Sequence, residues 1–367
     1  MSIIPLPTKG PDQGTVHAIP LTQQRLQRVK AAYSTRHLRL KDARYLLEGA
    51  LEPAWGDLVL ARIERIGQHT RIELGCGRRA HLHLGDEVLL CYGARYAPDQ
   101  FEAVVPTTLG PCDMVAAGGV AAHCRLRHRS MKQPTRIAPI GLLADAQGER
   151  LNLQRYRLAE PADAARRPPV YAVLGTMMNA GKTTTAAMLI RGFKQQGLRV
   201  GAAKVTGTGA GCDRWVMTDA GADRMIDFTD LGEPSTYGLP PQRIEQLLQQ
   251  SVAYLSAEGM EVIVVEVADG LLQQETSALI ESPLFHSTID GLLFAASDAM
   301  GALAGVQLLQ SKGLEPLAVS GAMTASPLAT QEARELLEIP VATSDQLAGG
   351  HGIPHHPSLP LHQPAWG

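Results

Sequence analysis

The sequence is short of the features that mark disulfide-stabilised, zinc-binding and membrane-spanning proteins. Its five cysteines are an odd, scattered number without C-x-x-C spacing, so we predict free thiols and neither a disulfide framework nor a zinc ribbon. No run reaches the roughly 20 apolar residues that span a bilayer. The opening residues are too few and too interrupted by Pro5 for a signal peptide. We therefore expect a cytoplasmic protein without membrane contact.

A strong charge of one sign is also missing. The 34 lysines and arginines nearly balance the 36 aspartates and glutamates, which leaves a net charge of -2. Since a general nucleic-acid-binding protein carries a strongly basic domain, nucleic acid is not an expected partner. Local basic patches, one at 25–44 and one at 125–136, leave open a nucleotide-dependent enzyme that acts on RNA.

Aromatic residues are scarce, at 4% of the chain, although 45% of the residues are hydrophobic and 36 are glycines. This composition is typical of parallel sheets covered by helices. The 367 residues exceed the roughly 250–300 that one core usually holds, so we predict two domains. The pair Pro168-Pro169 fits neither a helix interior nor a central strand and marks the linker. The predicted divisions are an N-terminal module over 1–165, a second domain over 168–348 and a Pro- and His-rich tail over 349–367.

The N-terminal module is predicted to hold a helical segment and a small β-barrel. The pattern over 22–51 is helical and basic. From residue 56 onwards the apolar period shortens to that of strands separated by glycine turns. The predicted strands cover 58–66, 70–74, 78–83 and 87–92.

Beyond the linker, short apolar runs alternate with helical patterns. Strands separated by helices of ten or more residues imply a mostly parallel sheet with helices on both faces, so the fold class is α/β. The predicted strands cover 170–174, 200–204, 262–266, 289–295, 317–320 and 340–342. The predicted helices cover 182–196, 241–258, 299–311 and 329–338.

A phosphate-binding loop is the sharpest signal in the sequence. The apolar strand at 170–174 runs through a glycine turn, Gly-Thr-Met-Met-Asn-Ala-Gly-Lys-Thr-Thr at 175–184, into a helix. This order gathers unpaired backbone N–H groups and the positive end of a helix around one point, as polyphosphate requires. Lys182, expected in an exposed loop, can reach the outer phosphates, and the Thr183 hydroxyl can ligate Mg²⁺. An ordinary strand–turn–helix is the alternative. The predicted nucleotide-binding residues are Gly175, Thr176, Asn179, Ala180, Gly181, Lys182, Thr183 and Thr184.

The spacing Gly-Thr-x-x-x-x-Gly-Lys-Thr resembles the loop of dethiobiotin synthetases and of the related enzymes that make amides of cobyric acid. The segment Lys-Val-Thr-Gly-Thr-Gly at 204–209 is similar to their Lys-Pro-Val-x-Thr-Gly, without the proline. The strand at 262–266 ends in a glutamate, as theirs does. Lys204 followed by Asp213 and an Ala-Gly-Ala sequence also resembles the GTP-binding adaptor of molybdopterin-guanine dinucleotide synthesis. The resemblance covers about residues 169–345 and implies a P-loop NTPase fold.

The resemblance implies that Mg²⁺ is held by Thr183, by an aspartate after the second strand and by the carboxylate that ends the third. Asp213 is the predicted aspartate, with Asp219 as its competitor. Glu266 also follows from the residues themselves, because four apolar residues lead to one acid at the carboxyl end of a parallel strand, where ligands bind. Lys204, at another strand end, can stabilise charge on a transferred phosphoryl group. The predicted catalytic residues are Lys182, Lys204 and Glu266, and the predicted metal ligands are Thr183, Asp213 and Glu266.

The predicted function is transfer of a phosphoryl group from Mg-ATP, or from Mg-GTP, to a small-molecule acceptor, in the manner of a synthetase, ligase or kinase. The alternative is a nucleotide-switched adaptor or a cofactor or metal chaperone that hydrolyses slowly. The sequence lacks the guanine-selecting Asn/Thr-Lys-x-Asp of most GTPases after a late strand, so it does not choose between the bases. A homodimer is a further expectation from the resemblance.

Two histidine-containing segments raise the question of a soft-metal site. The tail contains His351, His355, His356 and His362, and a second group comprises His123, Cys124 and His128. Imidazoles can bind nickel, zinc or copper. A disordered tail and structural roles for the second group are the alternatives.

Overall fold

The computed structural model describes residues 4, 5, 16–161 and 167–351, and these form two compact units. The first unit contains the described residues up to Leu158 together with 208–211 and 228–237. The second unit contains the remaining described residues from Ala159 onwards. The domain boundaries that the sequence suggests stay predictions, and all but three residues of the Pro- and His-rich tail lie outside the described part of the chain.

The first unit is built from short strands, one short helix and three 3₁₀ turns. Its strands are β1 Ile4–Pro5, β2 His17–Pro20, β3 Lys30–Ala31, β4 Tyr45–Glu48, β5 Leu58–Arg65, β6 Arg71–Glu73, β7 Arg79–His81, β8 Glu87–Tyr92, β9 Arg95–Tyr96, β10 Phe101–Val104, β11 Cys112–Ala116, β12 Val120–Arg127 and β13 Thr135–Ala144. The helix is α1 Gln23–Leu26, and the 3₁₀ turns are Tyr33–Thr35, Leu40–Asp42 and Leu153–Tyr156. The four predicted strands are confirmed as β5, β6, β7 and β8; β8 has the predicted ends, and the other three are shorter at one or both ends by one or two residues.

Five strands of the first unit pair in a cycle, each with the next. β13 pairs with β5, β5 with β8, β8 with β12, β12 with β11, and β11 with β13. Apolar side chains from all five strands share one buried cluster, among them Ile63, Leu90, Met114, Ala121 and Ile137. The small β-barrel itself is not confirmed by these pairings.

The predicted helix over 22–51 is wrong except for α1. Residues 45–48 form β4 instead, which pairs with β2 on one side and β13 on the other. Arg25 of this segment pairs with a residue distant in sequence, Glu87, at 2.7 Å. The pairing of β4 with β2 and β13 buries Leu46 and Leu47 in the sheet and overrides the local helical pattern.

The second unit alternates parallel strands with helices. Its strands are β14 Val170–Gly175, β15 Val200–Lys204, β16 Arg224–Asp227, β17 Val262–Glu266, β18 Gly291–Ala295 and β19 Ala318–Ser320. Its helices are α2 Lys182–Gln195, α3 Cys212–Asp219, α4 Pro241–Ala257, α5 Gln274–Glu281, α6 Pro283–Thr288, α7 Ala299–Ser311, α8 Pro327–Leu336 and α9 Ser344–Ala348, with a 3₁₀ turn at Ala322–Ala325. The four predicted helices are confirmed as α2, α4, α7 and α8, and five of the six predicted strands are confirmed. Residues 340–342 form no strand; Val341 makes a single parallel bridge to Val319.

All strands of the second unit run parallel, in the order β16-β15-β17-β14-β18-β19. One face packs its side chains against α2, α3 and α9, in a cluster that includes Val264, Phe193, Met217 and Leu347. The other face meets α4 and α7: a Cβ added at Gly201 would lie 3.2 Å from Leu255, and one at Gly305 would lie 2.2 Å from the Phe294 ring. The predicted parallel sheet with helices on both faces is confirmed.

The order of the strands locates the ligand-binding edge of this sheet. β14 pairs with β17 on one side and with β18 on the other, so the chain leaves β14 between two neighbours that come later in sequence. The crevice at the carboxyl ends of such strands is where ligands bind in open parallel sheets. No helix in the described part of the chain is long and apolar enough to cross a membrane.

Candidate functional site

The loop between β14 and α2 has the geometry of a phosphate-binding loop. α2 begins at Lys182, directly after Gly181, and no side chain caps its first backbone N–H groups. Gly181 has φ 92°, and a Cβ there would lie 2.6 Å from the Ala322 backbone nitrogen. Asn179 also has a positive φ, of 66°. The free donors of the first helical turn therefore remain for an anion.

Lys182 is buried, with 6% of its surface exposed, so the expectation that it lies in an exposed loop is wrong. It is the first residue of α2, and its Nζ donates to the Met177 carbonyl oxygen at 2.7 Å and to the carbonyl oxygen of Asp269. Burial lowers the pKa of Lys182, because the ammonium is moved out of water. Its donors are thus directed inward, toward the start of the loop.

Thr183, Lys204, Asp213 and Glu266 form one cluster, although they belong to four different elements of the second unit. The Thr183 hydroxyl lies 3.1 Å from Glu266 Oε1 and 3.2 Å from Asp213 Oδ1. Lys204 Nζ contacts Asp213 and lies 3.5 Å from Glu266 Oε1. We name these four residues the carboxylate cluster.

The sheet explains why the cluster forms. Lys204 ends β15 and Glu266 ends the adjacent parallel strand β17, where the two are register partners. Thr183 is the second residue of α2, and Asp213 is the second residue of α3. Two strand ends and two helix starts therefore meet at the carboxyl edge of the sheet.

The charges of the cluster respond differently to burial. Burial raises the pKa of Glu266, which is 1% exposed and whose Oε2 has no hydrogen-bond partner. Burial acts the same way on Asp213, but the Lys204 ammonium outweighs it and holds the pKa of Asp213 below its ordinary value. Burial alone would lower the pKa of Lys204, yet the carboxylates of Asp213 and Glu266 raise it. The Lys204–Asp213 pair is thus the charged core of the cluster, and Glu266 is incompletely satisfied.

The oxygen atoms of the cluster suit a hard divalent cation. One hydroxyl and two carboxylates converge, and Glu266 keeps one buried oxygen unpartnered. Mg²⁺ usually takes one or two carboxylates and completes its six ligands with water and phosphate oxygens. In the part of the chain described here, no three His, Cys, Asp or Glu residues form a metal-binding group. The residues therefore fit a metal shared with phosphate better than a closed metal site.

The structure also separates the competing candidates for the site. Asp219 ends α3 as an exposed residue, whereas Asp213 contacts Thr183. Thr184 is exposed on the first turn of α2. Asp269 lies after β17 and accepts from Lys182 through its backbone carbonyl. Asp213 is consequently the aspartate that the carboxylate cluster contains.

Sequence reasoning missed the turn after β19. The Ala322 N–H donates to the Ala180 carbonyl oxygen at 2.9 Å. Gly321 has φ 104°, and a Cβ there would lie 2.4 Å from that same carbonyl oxygen. This turn therefore packs against the phosphate loop and donates a hydrogen bond to it. The signal for it was a glycine directly after the apolar strand.

The predicted group of His123, Cys124 and His128 does not gain a metal site from the fold. Among the described residues, no set of three potential ligands that includes them comes together. The Cys124 sulfur contacts the Leu126 carbonyl oxygen at 3.4 Å, and His128 Nδ1 lies 2.8 Å from the Ser130 hydroxyl. These contacts fit the structural alternative.

No known family model matches the chain, and no curated protein matches it. Solved structures match part of it. The signal recognition particle 54 kDa protein of Aeropyrum pernix K1, in complex with GDP, is 16% identical over 51% of this chain and 44% of its own, with a TM-score of 0.37. The receptor FtsY of Elizabethkingia anophelis, in complex with GDP, is 17% identical over 46% of this chain and 52% of its own, with a TM-score of 0.31. Chloroplast FtsY of Physcomitrella patens is 19% identical over 46% of this chain and 54% of its own, with a TM-score of 0.31.

The matched region thus spans about half the length of these neighbours. Likenesses at such low identities and TM-scores do not indicate what activity this chain has. The dethiobiotin synthetase-like class is not confirmed by them.

Proposed function

We propose that the second unit binds a nucleoside triphosphate, ATP or GTP, with Mg²⁺ and transfers its γ-phosphoryl group to a small-molecule acceptor. One observation carries the proposal: an uncapped helix start and the carboxylate cluster meet at the carboxyl edge of a parallel sheet. An uncapped helix start binds anions, and the cluster supplies oxygen ligands for the cation that accompanies polyphosphate.

Each residue of the site has a role that its contacts support. The loop N–H groups would hold phosphate oxygens, and Lys182 would exchange a backbone carbonyl for an outer phosphate oxygen. Thr183, Asp213 and Glu266 would hold Mg²⁺, which when bound neutralises charge on the phosphates. Lys204 would donate a hydrogen bond to the transferred phosphoryl group and stabilise the charge that develops on that group. The catalytic contribution is positioning and charge stabilisation.

The first unit is the proposed carrier of acceptor specificity. Its cycle of five paired strands and their shared apolar cluster support the small β-barrel as the finer description of this unit. It contributes none of the residues assigned above to phosphate or metal. The residues that recognise the acceptor are therefore proposed to lie in the first unit.

A nucleotide-switched adaptor is the second candidate, and chain connectivity favours it. Residues 208–211 lie in sequence between Lys204 and Asp213, yet they belong to the first unit. The Gly211 N–H donates to Glu73 of that unit at 2.9 Å, and the Gly209 N–H donates to the Pro234 carbonyl oxygen at 2.9 Å. A change in the Lys204–Asp213 pair would therefore be transmitted along the chain to residues 208–211, which belong to the first unit.

The two candidates differ in the fate of the γ-phosphoryl group. Wild-type protein is incubated with γ-labelled ATP or GTP and a metabolite extract, and labelled products are identified by mass spectrometry. The proposal predicts label on an extract metabolite with wild type and with Asp219→Asn, and loss of this label with Asp213→Asn. Release of inorganic phosphate alone, stimulated by an extract's proteins and not by its metabolites, would favour the adaptor and refute the transfer.

A further inference from the structure

Lys204 has an unusual position for a residue that would assist phosphate chemistry. Its Nζ contacts Asp213, and it lies 3.5 Å from Glu266 Oε1. These are two of the three groups that would hold Mg²⁺. The side chain is 12% exposed, against 28% for Asp213 and 2% for Glu266, so these charges meet largely out of water.

Lys182 contributes to this compensation only from a distance, because its charge acts on both carboxylates but its hydrogen bonds are made elsewhere. Its Nζ donates to the backbone carbonyls of Met177 and Asp269, at the other side of the loop. The Thr183 hydroxyl bridges the two carboxylates but carries no charge. Lys204 therefore supplies a cation in direct contact with both carboxylates.

We propose that Lys204 is the internal counter-ion of Asp213 and Glu266, which occupies the place of the divalent cation and makes metal binding depend on nucleotide. The inference rests on the proposed nucleotide site and adds an order of events to it. A metal ion cannot approach both carboxylates while the ammonium lies between them. When phosphate is present, the ammonium gains an anionic partner of its own and can leave the carboxylates to the metal.

The physical consequence is a coupling between the two ligands. Metal alone would have to displace a buried cation from the two carboxylates that compensate its charge, at a large electrostatic cost. Phosphate alone would meet the loop N–H groups but no metal. Each ligand therefore raises the affinity for the other, as linkage requires. Without nucleotide, the protein would therefore bind Mg²⁺ only weakly at physiological concentrations.

The test removes the ammonium and measures metal binding without nucleotide. Thermal unfolding of the full chain is recorded by calorimetry in EDTA, in Mg²⁺, and in Mg²⁺ with a non-hydrolysable ATP or GTP analogue. Mn²⁺ binding is measured by electron paramagnetic resonance. Lys194→Met is the matched control, because Lys194 lies on α2 and forms a partly exposed ion pair with Asp223 at 2.7 Å.

For wild type and the control, Mg²⁺ alone should leave the melting temperature unchanged, and Mg²⁺ with the analogue should raise it. Lys204→Met should melt lower in EDTA and recover with Mg²⁺ alone. Its Mn²⁺ affinity should exceed that of wild type by at least about tenfold, because a unit charge near two carboxylates has been removed. The double variant Lys204→Met/Asp213→Asn should lose this gained affinity, which places the metal at the carboxylate cluster.

Equal Mn²⁺ affinity in wild type and Lys204→Met would overturn the proposal. If Lys204→Met does not fold in EDTA, it is refolded with Mg²⁺: recovery supports the proposal, and failure in both conditions counts against it, since a cation should replace the lost ammonium. A wild-type protein that no nucleotide analogue stabilises refutes the proposed function instead. The comparison of Mn²⁺ affinities between variants stands independently of that result.

Discussion

Replacing Lys182 by alanine should abolish tight nucleotide binding and leave the fold intact. The ammonium is buried and already directed into the loop, where it donates to the carbonyls of Met177 and Asp269. In the nucleotide complex it would instead donate to phosphate, and charge-assisted hydrogen bonds contribute about 1.5–3 kcal/mol each. Loss of one to two such bonds, roughly 3 kcal/mol in all, corresponds to an affinity about 150-fold weaker.

The effect of Lys182→Ala on stability should be much smaller, because two contributions oppose each other. The variant no longer buries an ammonium, which folding disfavours, as the lowered pKa of Lys182 indicates. It also leaves two backbone carbonyls without this donor. We expect the free energy of unfolding to change by about 1 kcal/mol or less.

Equilibrium dialysis with non-hydrolysable ATP and GTP analogues measures the loss of affinity, and urea unfolding measures the stability of the same samples. Lys194→Ala is the control, since this lysine lies near the other end of α2 and pairs with Asp223. Undiminished affinity in Lys182→Ala would refute the phosphate-loop assignment. An equal loss of affinity in Lys194→Ala would show that the assay reports on the helix and not on the site.

Three further predictions concern catalysis, pH dependence and stability. Glu266→Gln should keep nucleotide binding, but its turnover, measured as γ-phosphoryl release, should decrease by at least about a hundredfold. The reason is that the amide removes one anionic ligand of the metal site. Unchanged turnover would mean that the wrong carboxylate has been assigned. Burial and the nearby Arg95 charge lower the pKa of His69 to about 4, so the unfolded chain takes up the proton first as the pH falls. Stability should therefore be complete above about pH 6.5 and should decrease by up to about 3 kcal/mol toward pH 4, a decrease that urea unfolding of His69→Phe should lack. Arg36→Met should lower the free energy of unfolding by about 3 kcal/mol, because it removes the ion pair between Arg36 and the buried Asp230. The control Arg39→Met removes an exposed ion pair and should lower it by less than about 1 kcal/mol.

The sequence was sufficient to predict the elements that depend on local pattern. The phosphate loop follows from a strand, a glycine turn and a helix in one short stretch, and α2 begins at Lys182. Glu266 could be predicted because it directly ends an apolar strand of a parallel sheet.

The features that the sequence did not reveal depend on contacts between distant residues. Residues 45–48 carry a helical pattern but form a strand, because two other strands pair with them. Residues 228–237 follow a strand of the second unit but belong to the first, where Asp230 pairs with Arg36 and Glu233 accepts from the Trp55 indole at 2.7 Å. A fragment that begins near residue 166 would separate this segment from Arg36 and Trp55.

A calorimetric titration of the wild-type chain with non-hydrolysable ATP and GTP analogues tests whether the second unit binds nucleotide. We expect saturable binding of one nucleotide per chain in Mg²⁺, and much weaker binding in EDTA, because Asp213 and Glu266 then lack the cation that bridges them to phosphate. Inorganic triphosphate should compete, since the loop N–H groups recognise phosphate. If neither analogue nor triphosphate binds in Mg²⁺, the loop between β14 and α2 is not a nucleotide site.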